Sequence, residues 1–93
     1  IYNLRDGAAC GFKYFLFDGT EKEIRLRVRG DFTGQIDVIP DEPNGKVSAS
    51  LNVEKSEKWS WTGTEIAISR GVHALYFKVS GQGSCDLDAF AVS

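Results

Sequence analysis

The chain has 93 residues, of which 42% are hydrophobic and 26% are charged, and its formal net charge is −2. This length suits one small domain, and the composition is that of a globular protein rather than a disordered one. A nucleic-acid-binding domain of this size is usually basic, so the acidic balance argues against that class. No apolar stretch approaches the ~20 residues of a membrane span, so we expect no membrane partner.

The sequence offers few residues for nucleophilic or metal chemistry: one histidine, His73, and two cysteines, Cys10 and Cys85. His73 lies in a run of alternating apolar residues, Val72 to Val79, which favours a structural or solvent-facing strand residue over a catalytic base. The cysteines lack the CxxC or CxxH spacing of a zinc site. They can form a disulfide that closes most of the chain or remain two buried thiols, and the apolar pattern around both slightly favours thiols.

Alternation of apolar and polar residues predicts β structure along the whole chain. The stretch from Cys10 to Phe17 carries bulky residues on both faces, with Cys10, Phe12, Tyr14 and Leu16 sharing one face. It therefore predicts a central strand covered on both sides, or a strand that lines a groove. The clearest strand is Glu23 to Gly30, where aliphatic residues alternate with three arginines that form a solvated face.

The second half of the chain continues this pattern. The turn from Pro40 to Gly45 contains an Asn-Gly pair, which supplies positive φ angles in a hairpin. We expect loops at residues 30–34, 54–58 and 80–84, and strands at 35–40, 47–53, 59–68, 72–79 and 85–92. About seven or more short antiparallel strands without a helix predict an all-β fold, a β-sandwich or jelly roll, with residues 1–93 as a single domain.

Two tryptophans stand out chemically. Trp59 and Trp61 have the same strand parity, follow a charged loop and precede small polar residues. Either one of them caps the edge of the core, or the two form an aromatic platform. Such a platform, flanked by hydrogen-bonding side chains, suits a pyranose ring, whose C–H faces stack while its hydroxyls take directional bonds.

Several segments resemble the family 6 carbohydrate-binding modules. Residues Gly71 to Val79 followed by Asp86 to Phe90 resemble the closing signature of that family. The family's opening strand resembles residues Asp6 to Phe17, and its central hairpin resembles Ile36 to Val53. The motif GFKYF is most similar to modules attached to family 43 glycoside hydrolases. The resemblance implies a jelly-roll β-sandwich that binds plant cell-wall polysaccharide, commonly xylan or β-glucan, without cleaving it.

The resemblance also implies a site. In the family, loops at one edge stack a sugar between a Trp and a Tyr, and an Asn supplies hydrogen bonds. Here the Trp falls on Trp59, with Trp61 as the near alternative, and the Asn falls on Asp86, whose carboxylate still accepts hydroxyl hydrogen bonds. The Tyr falls on Asn3, while Tyr2 is one residue off and points to the opposite face.

The implied cofactor and partners are few. The family's calcium-binding Asp falls on Asp88, but its acidic partners have no counterpart, so we expect no cofactor: one carboxylate does not make a six- to eight-oxygen calcium shell. The implied partners are a polysaccharide or oligosaccharide and a parent glycoside hydrolase domain, and the implied location is secreted or periplasmic. The chain has no Met and no signal peptide precedes Ile1, so we expect a domain excised from a larger secreted enzyme.

The sequence and the family resemblance leave two possible functions. The first is non-catalytic carbohydrate binding through the aromatic platform, which targets a linked hydrolase to the plant cell wall. The alternative is a structural accessory domain of a glycosidase with no sugar site of its own, in which case Trp59 and Trp61 would pack into an interface. A small glycosidase needs two carboxylates across a cleft. The acidic pair Asp41-Glu42 lies on a turn and not across a cleft, so we expect no catalytic activity.

Overall fold

The computed structural model describes residues 1–93 and contains seven strands and no helix. The strands are β1 (Ala9–Phe17), β2 (Glu23–Gly30), β3 (Phe32–Pro40), β4 (Ala49–Val53), β5 (Ser56–Glu65), β6 (Gly71–Gly83) and β7 (Asp86–Val92). None of these elements is an apolar helix of the kind that spans a membrane.

The strands form two antiparallel sheets, which confirms the predicted all-β sandwich. One sheet has four strands in the order β1-β6-β3-β4, and the other has three in the order β5-β2-β7. Contacts between β4 and β5 place these two strands on the same side of the sandwich. Apart from Leu87 of β7, which pairs with Ile1 through two backbone hydrogen bonds, the edges of β1 and β7 are free, and they share the opposite side.

The core lies between the sheets and is a single cluster of 18 buried residues. In β2, Ile24, Leu26 and Val28 are at most 3% exposed, and they meet fully buried residues of the other sheet such as Ile36 and Phe77. No polar or charged side chain is buried, so removal of apolar surface from water is the main force that holds the sheets together.

Strand β1 differs from its prediction in two ways. It is the edge strand of the four-stranded sheet, not a central strand. A bulge between Phe12 and Phe15 shifts its register, so Phe15 and Phe17 turn toward the core side while Tyr14 and Leu16 are 67% and 79% exposed. One extra residue in a bulge reverses side-chain parity, and the alternation of the sequence alone does not reveal it.

The sequence predicts a loop for the glycine-rich stretch after Val79, but in the structure β6 continues through Gly83. It pairs there with the start of β3, with Phe32 opposite Gly83 and Gly34 opposite Gly81. A Cβ on Gly81 would lie 2.5 Å from the carbonyl oxygen of Thr33. Glycine is thus required because the two backbones approach closely, a role that a pattern of side chains cannot show.

Smaller corrections concern the other loops and the hairpin turn. Strands β3 and β5 begin at Phe32 and Ser56, inside predicted loops, whereas Ile66 and Ile68 are buried but lie outside any strand. The predicted turn joins β3 to β4, but its positive φ is at Asp41 (70°) and not at the Asn-Gly pair.

The two cysteines are free thiols in the structure. Cys85 is buried and Cys10 is half-buried. Burial raises the pKa of both thiols, and the pKa of Cys85 rises to about 11 because burial is reinforced by the neighbouring Asp86 carboxylate and by Cys10. Thiols with raised pKa values are poor nucleophiles at neutral pH, so these residues act as core components.

Candidate functional site

Both tryptophans lie on the outer face of the three-stranded sheet. Trp61 stands opposite Arg27 in the β5–β2 pairing, and Trp59, two residues earlier, shares its side of the strand. Trp61 is 48% exposed and Trp59 is half-buried, so neither belongs to the core. The hypothesis that one of the two tryptophans caps the edge of the core is therefore wrong. Both lie within β5 rather than in a loop at its end.

The arginines of β2 pack against these indoles. The guanidinium carbon of Arg25 lies 5.1 Å from the Trp61 ring centroid, and those of Arg27 and Arg29 lie 5.5 and 4.4 Å from that of Trp59. These are cation–π distances. We call the surface formed by these five residues the tryptophan–arginine face. The sequence predicts only a solvated face for these arginines, because it does not show that β2 and β5 become neighbours.

Each arginine of this face also has a carboxylate partner. Arg25 Nε lies 3.6 Å from Glu23 Oε1, Arg27 Nη1 lies 3.5 Å from Asp88 Oδ2, and Arg29 Nε lies 3.3 Å from Asp86 Oδ2. Three cations and three anions balance one another. The tryptophan–arginine face therefore presents aromatic surface beside hydrogen-bonding groups whose charges are paired, a combination that suits a neutral polar ligand better than an ionic one.

Asp86 joins this face to the start of the chain. Its Oδ1 accepts a hydrogen bond of 3.0 Å from the backbone N–H of Asn3, while its Oδ2 accepts one from Arg29 Nε. Asn3 holds a positive φ of 58°, and the adjacent Tyr2 is 68% exposed. Hydrogen bonds and a cation–π contact thus connect four residues in series: Asn3, Asp86, Arg29 and Trp59. Tyr2 precedes Asn3 in the chain.

A cleft of about 570 Å³ opens where the connections β2–β3 and β4–β5 meet the start of β7. We call it the loop cleft, and it is lined by Arg29, Gly30, Asp31, Lys55, Ser56, Glu57 and Asp86. Lys55 Nζ lies 3.1 Å from Asp31 Oδ1 across it. No aromatic residue lines this cleft. Arg29 and Asp86 belong both to the cleft and to the contacts of the tryptophan–arginine face, so the two surfaces are continuous.

A second opening of about 530 Å³, which we call the apolar groove, lies between the free edges of β1 and β7. Nine of its 11 lining residues are hydrophobic. The ring of Phe90 lies 5.3 Å from that of Phe12 and 5.2 Å from that of Phe15, centroid to centroid, in a tilted and an edge-on arrangement. Glu21 and Asp88 are the charged residues of the lining, so the groove offers few partners to sugar hydroxyls.

The residues around Asp88 do not fit a calcium ion. The Asp88 carboxylate faces the Arg27 guanidinium at 3.5 Å, and the structure has no group of three or more acidic, histidine or cysteine side chains that could hold a metal. Calcium needs six to eight oxygen ligands, and a competing cation at the one available carboxylate opposes its binding.

Comparison with known proteins gives this geometry a context. The family model for "Carbohydrate binding module (family 6)" matches residues 1–93. A xylosidase/arabinosidase of Thermoclostridium stercorarium is 39% identical over 92 residues, which are 99% of this chain and 19% of that protein. The chain thus spans about a fifth of that relative's length.

Two solved structures share the fold at lower identity. A family 6 module from Clostridium stercorarium in complex with cellobiose superposes with a TM-score of 0.86 at 18% identity, covering 99% of this chain and 71% of that one. A family 43 arabinoxylan arabinofuranohydrolase from Bacillus subtilis, in complex with cellotetraose, gives 0.84 at 22% identity, covering 99% and 20%.

The chain belongs to family 6 of the carbohydrate-binding modules, because the family model covers all of it. Modules of this family bind carbohydrate and are non-catalytic, so residues 1–93 form a binding module and not a catalytic domain. The comparisons bear out the resemblance drawn from the sequence, including the relation to modules of family 43 glycoside hydrolases.

Proposed function

We propose that the protein binds a neutral plant cell-wall polysaccharide, xylan or a β-glucan, on the tryptophan–arginine face and in the adjoining loop cleft. The observation that carries this proposal is the pair of same-face tryptophans, Trp59 and Trp61, set among arginine–carboxylate pairs and continuous with Asp86. Binding would keep a linked glycoside hydrolase close to its polymer, outside the cell or in the periplasm.

The chemistry of a sugar ring matches this surface. Its C–H groups stack on an indole, and its hydroxyls, as donors and acceptors, bond to carboxylates and guanidinium groups beside the ring. Asp86 uses each carboxylate oxygen once, for Asn3 and Arg29. A carboxylate has about four lone-pair sites, so it retains capacity for hydroxyl hydrogen bonds.

The names of the relatives agree with this ligand class. The xylosidase/arabinosidase and the arabinoxylan arabinofuranohydrolase are named for xylan-type substrates, and two of the solved structures contain β-glucan oligosaccharides, cellobiose and cellotetraose. Xylan or β-glucan is therefore the proposed polymer, and a hydrolase acting on such polymers is the proposed parent.

The expected affinity is low. Stacking on one or two exposed rings with a few hydroxyl hydrogen bonds corresponds to roughly −4 to −7 kcal/mol, a Kd between high micromolar and millimolar. Such an affinity is sufficient for a tethered module, because attachment to the hydrolase raises the effective concentration of enzyme at the polymer surface.

Affinity electrophoresis tests the proposal. The wild-type protein is run through gels containing xylan, mixed-linkage β-glucan or a soluble cellulose derivative, beside Trp59→Ala and Trp61→Ala. Tyr14→Ala is the matched control, since Tyr14 is an exposed aromatic residue on β1, in the other sheet. We expect at least one polymer to retard the wild type and the control, and retardation to fall in both tryptophan variants. Circular dichroism verifies that each variant is folded.

The apolar groove favours a second function, that of a structural accessory domain that packs on the catalytic domain of a glycosidase. Its lining of phenylalanine and aliphatic side chains suits polypeptide better than sugar. If no polymer retards the wild-type protein, or if the tryptophan variants migrate like the wild type, the sugar-binding proposal fails and this second function is preferred.

A further inference from the structure

The only histidine lies in a cluster that sugar binding does not use. His73 is the third residue of β6, and its ring sits between Asp41, in the β3–β4 turn, and Ser69, in the β5–β6 connection. Nδ1 lies 2.8 Å from Asp41 Oδ2, and Nε2 lies 2.9 Å from the backbone carbonyl oxygen of Ser69 and 3.1 Å from its Oγ. The histidine side chain is 14% exposed and the Asp41 side chain is 53% exposed, so water reaches this ion pair from the Asp41 side.

The partners define the protonation state that fits this geometry. A carboxylate and a carbonyl oxygen only accept hydrogen bonds, so both ring nitrogens of His73 must donate. A neutral imidazole has one N–H, and either tautomer would direct a nitrogen lone pair at an oxygen of Asp41 or Ser69. The imidazolium alone satisfies both contacts.

The cluster resembles a Ser-His-Asp hydrolytic triad in composition, but its geometry does not support that chemistry. In a triad, Nε2 accepts the proton of the serine hydroxyl. Here Nε2 lies 2.9 Å from the Ser69 carbonyl oxygen, which can only accept, and 3.1 Å from the Ser69 Oγ, so it is the imidazolium that donates to the carbonyl. The ring nitrogen is therefore occupied as a donor and is not free to act as a base.

The surroundings of the ring contain one charge at close range. The ring packs against Phe17 of β1, with centroids 5.9 Å apart, and Asp41 is its single ion-pair partner within 4.0 Å. Asp18, which follows Phe17, bonds to Thr20, and neither Asp18 nor Glu42 forms an ion pair with the ring; Arg70 follows Ser69 in the β5–β6 connection. The hydrogen bond from Asp41 raises the pKa of His73; burial opposes it more weakly, and the Ser69 carbonyl adds to the rise.

We propose that His73 is a pH-sensitive clasp: as an imidazolium it ties the β3–β4 turn to the β5–β6 connection, and loss of its proton opens this link. Asp41 holds a positive φ of 70°, an unfavourable angle for a residue other than glycine. Its side-chain bond to His73 and its backbone N–H bond to the Ala74 carbonyl, 2.9 Å long, keep it there. Opening the clasp therefore frees a strained turn.

The direction of the pH effect follows from linkage. Because the folded protein holds the proton of His73 more tightly than the unfolded chain does, the stabilisation is complete below the ordinary pKa of 6.5. It is lost as the pH rises through the higher pKa of the folded state. The clasp thus closes in mildly acidic surroundings and opens in alkaline ones.

Side-chain NMR tests the clasp directly. The ¹⁵N shifts of His73 are followed from pH 5 to pH 9.5 in the wild type, in Asp41→Asn and in Asp37→Asn. Asp37 is the matched control, because it lies on β3, which leads into the Asp41 turn, and it bonds to Ser50 instead. We expect a wild-type midpoint above 6.5, unchanged in the control, and lowered in Asp41→Asn because the amide does not stabilise the imidazolium as the carboxylate does.

A second variant separates the clasp from a triad-like arrangement. If the Ser69 hydroxyl donated to a neutral ring, Ser69→Ala would raise the His73 pKa by removing a bond that only the neutral ring makes. The clasp predicts a midpoint that is unchanged or slightly lower, since the carbonyl bond remains. A wild-type midpoint at or below 6.5, equal midpoints in Asp41→Asn and Asp37→Asn, or a rise in Ser69→Ala would each overturn the proposal.

Amide exchange supplies the structural readout. After correction for the intrinsic pH dependence, the amides of the 41–45 turn and of residues 69–71 should exchange several-fold faster above the His73 midpoint than below it. The central amides of β3 should not change. Protection in these two segments that is independent of His73 ionisation would show that the ring fills space without acting as a clasp.

Discussion

The loop cleft and the apolar groove have similar volumes, about 570 and 530 Å³, and opposite chemistry. The loop cleft has no hydrophobic residue in its lining and continues onto the tryptophan–arginine face. The apolar groove is lined mainly by phenylalanine and aliphatic side chains between two free strand edges. The comparison shows that the lining, not the size, distinguishes the two openings: one offers polar and charged partners, and the other offers apolar contact.

The two regions also differ in their link to the core. Phe90 and Phe12 of the groove contact Phe77, which is fully buried, so the groove is a partly open extension of the core. The residues of the loop cleft and the tryptophan–arginine face contact one another through charges and aromatic faces on the outside of the sheet. Changes in the groove should therefore alter stability, and changes at the other surface should alter binding.

The largest expected effect comes from Phe90→Ala in the groove. Phe90 packs against three other phenylalanine rings, and removing a large aromatic side chain from such a site costs about 3 kcal/mol of unfolding free energy. Urea denaturation measures this loss. Polysaccharide retardation of the folded variant should equal that of the wild type. Loss of retardation with an intact fold would instead place the sugar in the groove. The groove, and not the tryptophan–arginine face, would then be the binding surface.

Substitution of the tryptophans should weaken polysaccharide binding more than it lowers stability. We expect Trp61→Ala to weaken polysaccharide binding about tenfold, which is roughly 1.4 kcal/mol, with a smaller change in stability. Trp59→Ala should also weaken binding, and it should destabilise the fold by about 1 kcal/mol because two guanidinium contacts are lost. Isothermal titration with xylo- and gluco-oligosaccharides, together with thermal unfolding, separates the two quantities. Equal stability losses in both variants would contradict the assigned contacts.

Asp86→Ala should affect both stability and binding moderately. The Asp86 side chain is 22% exposed and accepts bonds from Arg29 and from the Asn3 backbone, so its loss should cost about 1 kcal/mol. Asp86→Asn keeps an oxygen for the Asn3 N–H, and we expect it to recover part of the stability and of the binding. Thermal unfolding and affinity electrophoresis of the two variants make this comparison. If alanine and asparagine behave alike, the Asn3 bond contributes nothing.

The smallest effect is expected for Lys55→Ala in the loop cleft. The Lys55 and Asp31 side chains are 71% and 83% exposed, so water and salt screen their ion pair. The variant should change the unfolding free energy by less than about 0.5 kcal/mol, and added salt should reduce this difference further. A clear destabilisation would show that the cleft, like the groove, is tied to the core.

The sequence predicted the architecture well, and the reason is visible in β2. Alternation of Ile24, Leu26 and Val28 with arginines requires one buried and one outer face, and a chain of such segments with turns between them has few solutions besides a sandwich. The family resemblance added the carbohydrate-binding function. These features depend on local periodicity and on short motifs, which a single sequence carries.

Tertiary structure alone decided the rest, because it depends on which strands become neighbours. The bulge that turns Phe15 toward the core, the pairing of Gly81 with Gly34, and the edge position of β1 have no signature in side-chain alternation. The same holds for the indole–guanidinium contacts and for the His73–Asp41 bond, whose partners are 32 residues apart in the chain. The sequence by itself determined which residues are apolar, polar or aromatic on each strand. Only the packing of the two sheets determined which of them meet, since the register and order of strands are set by long-range contacts.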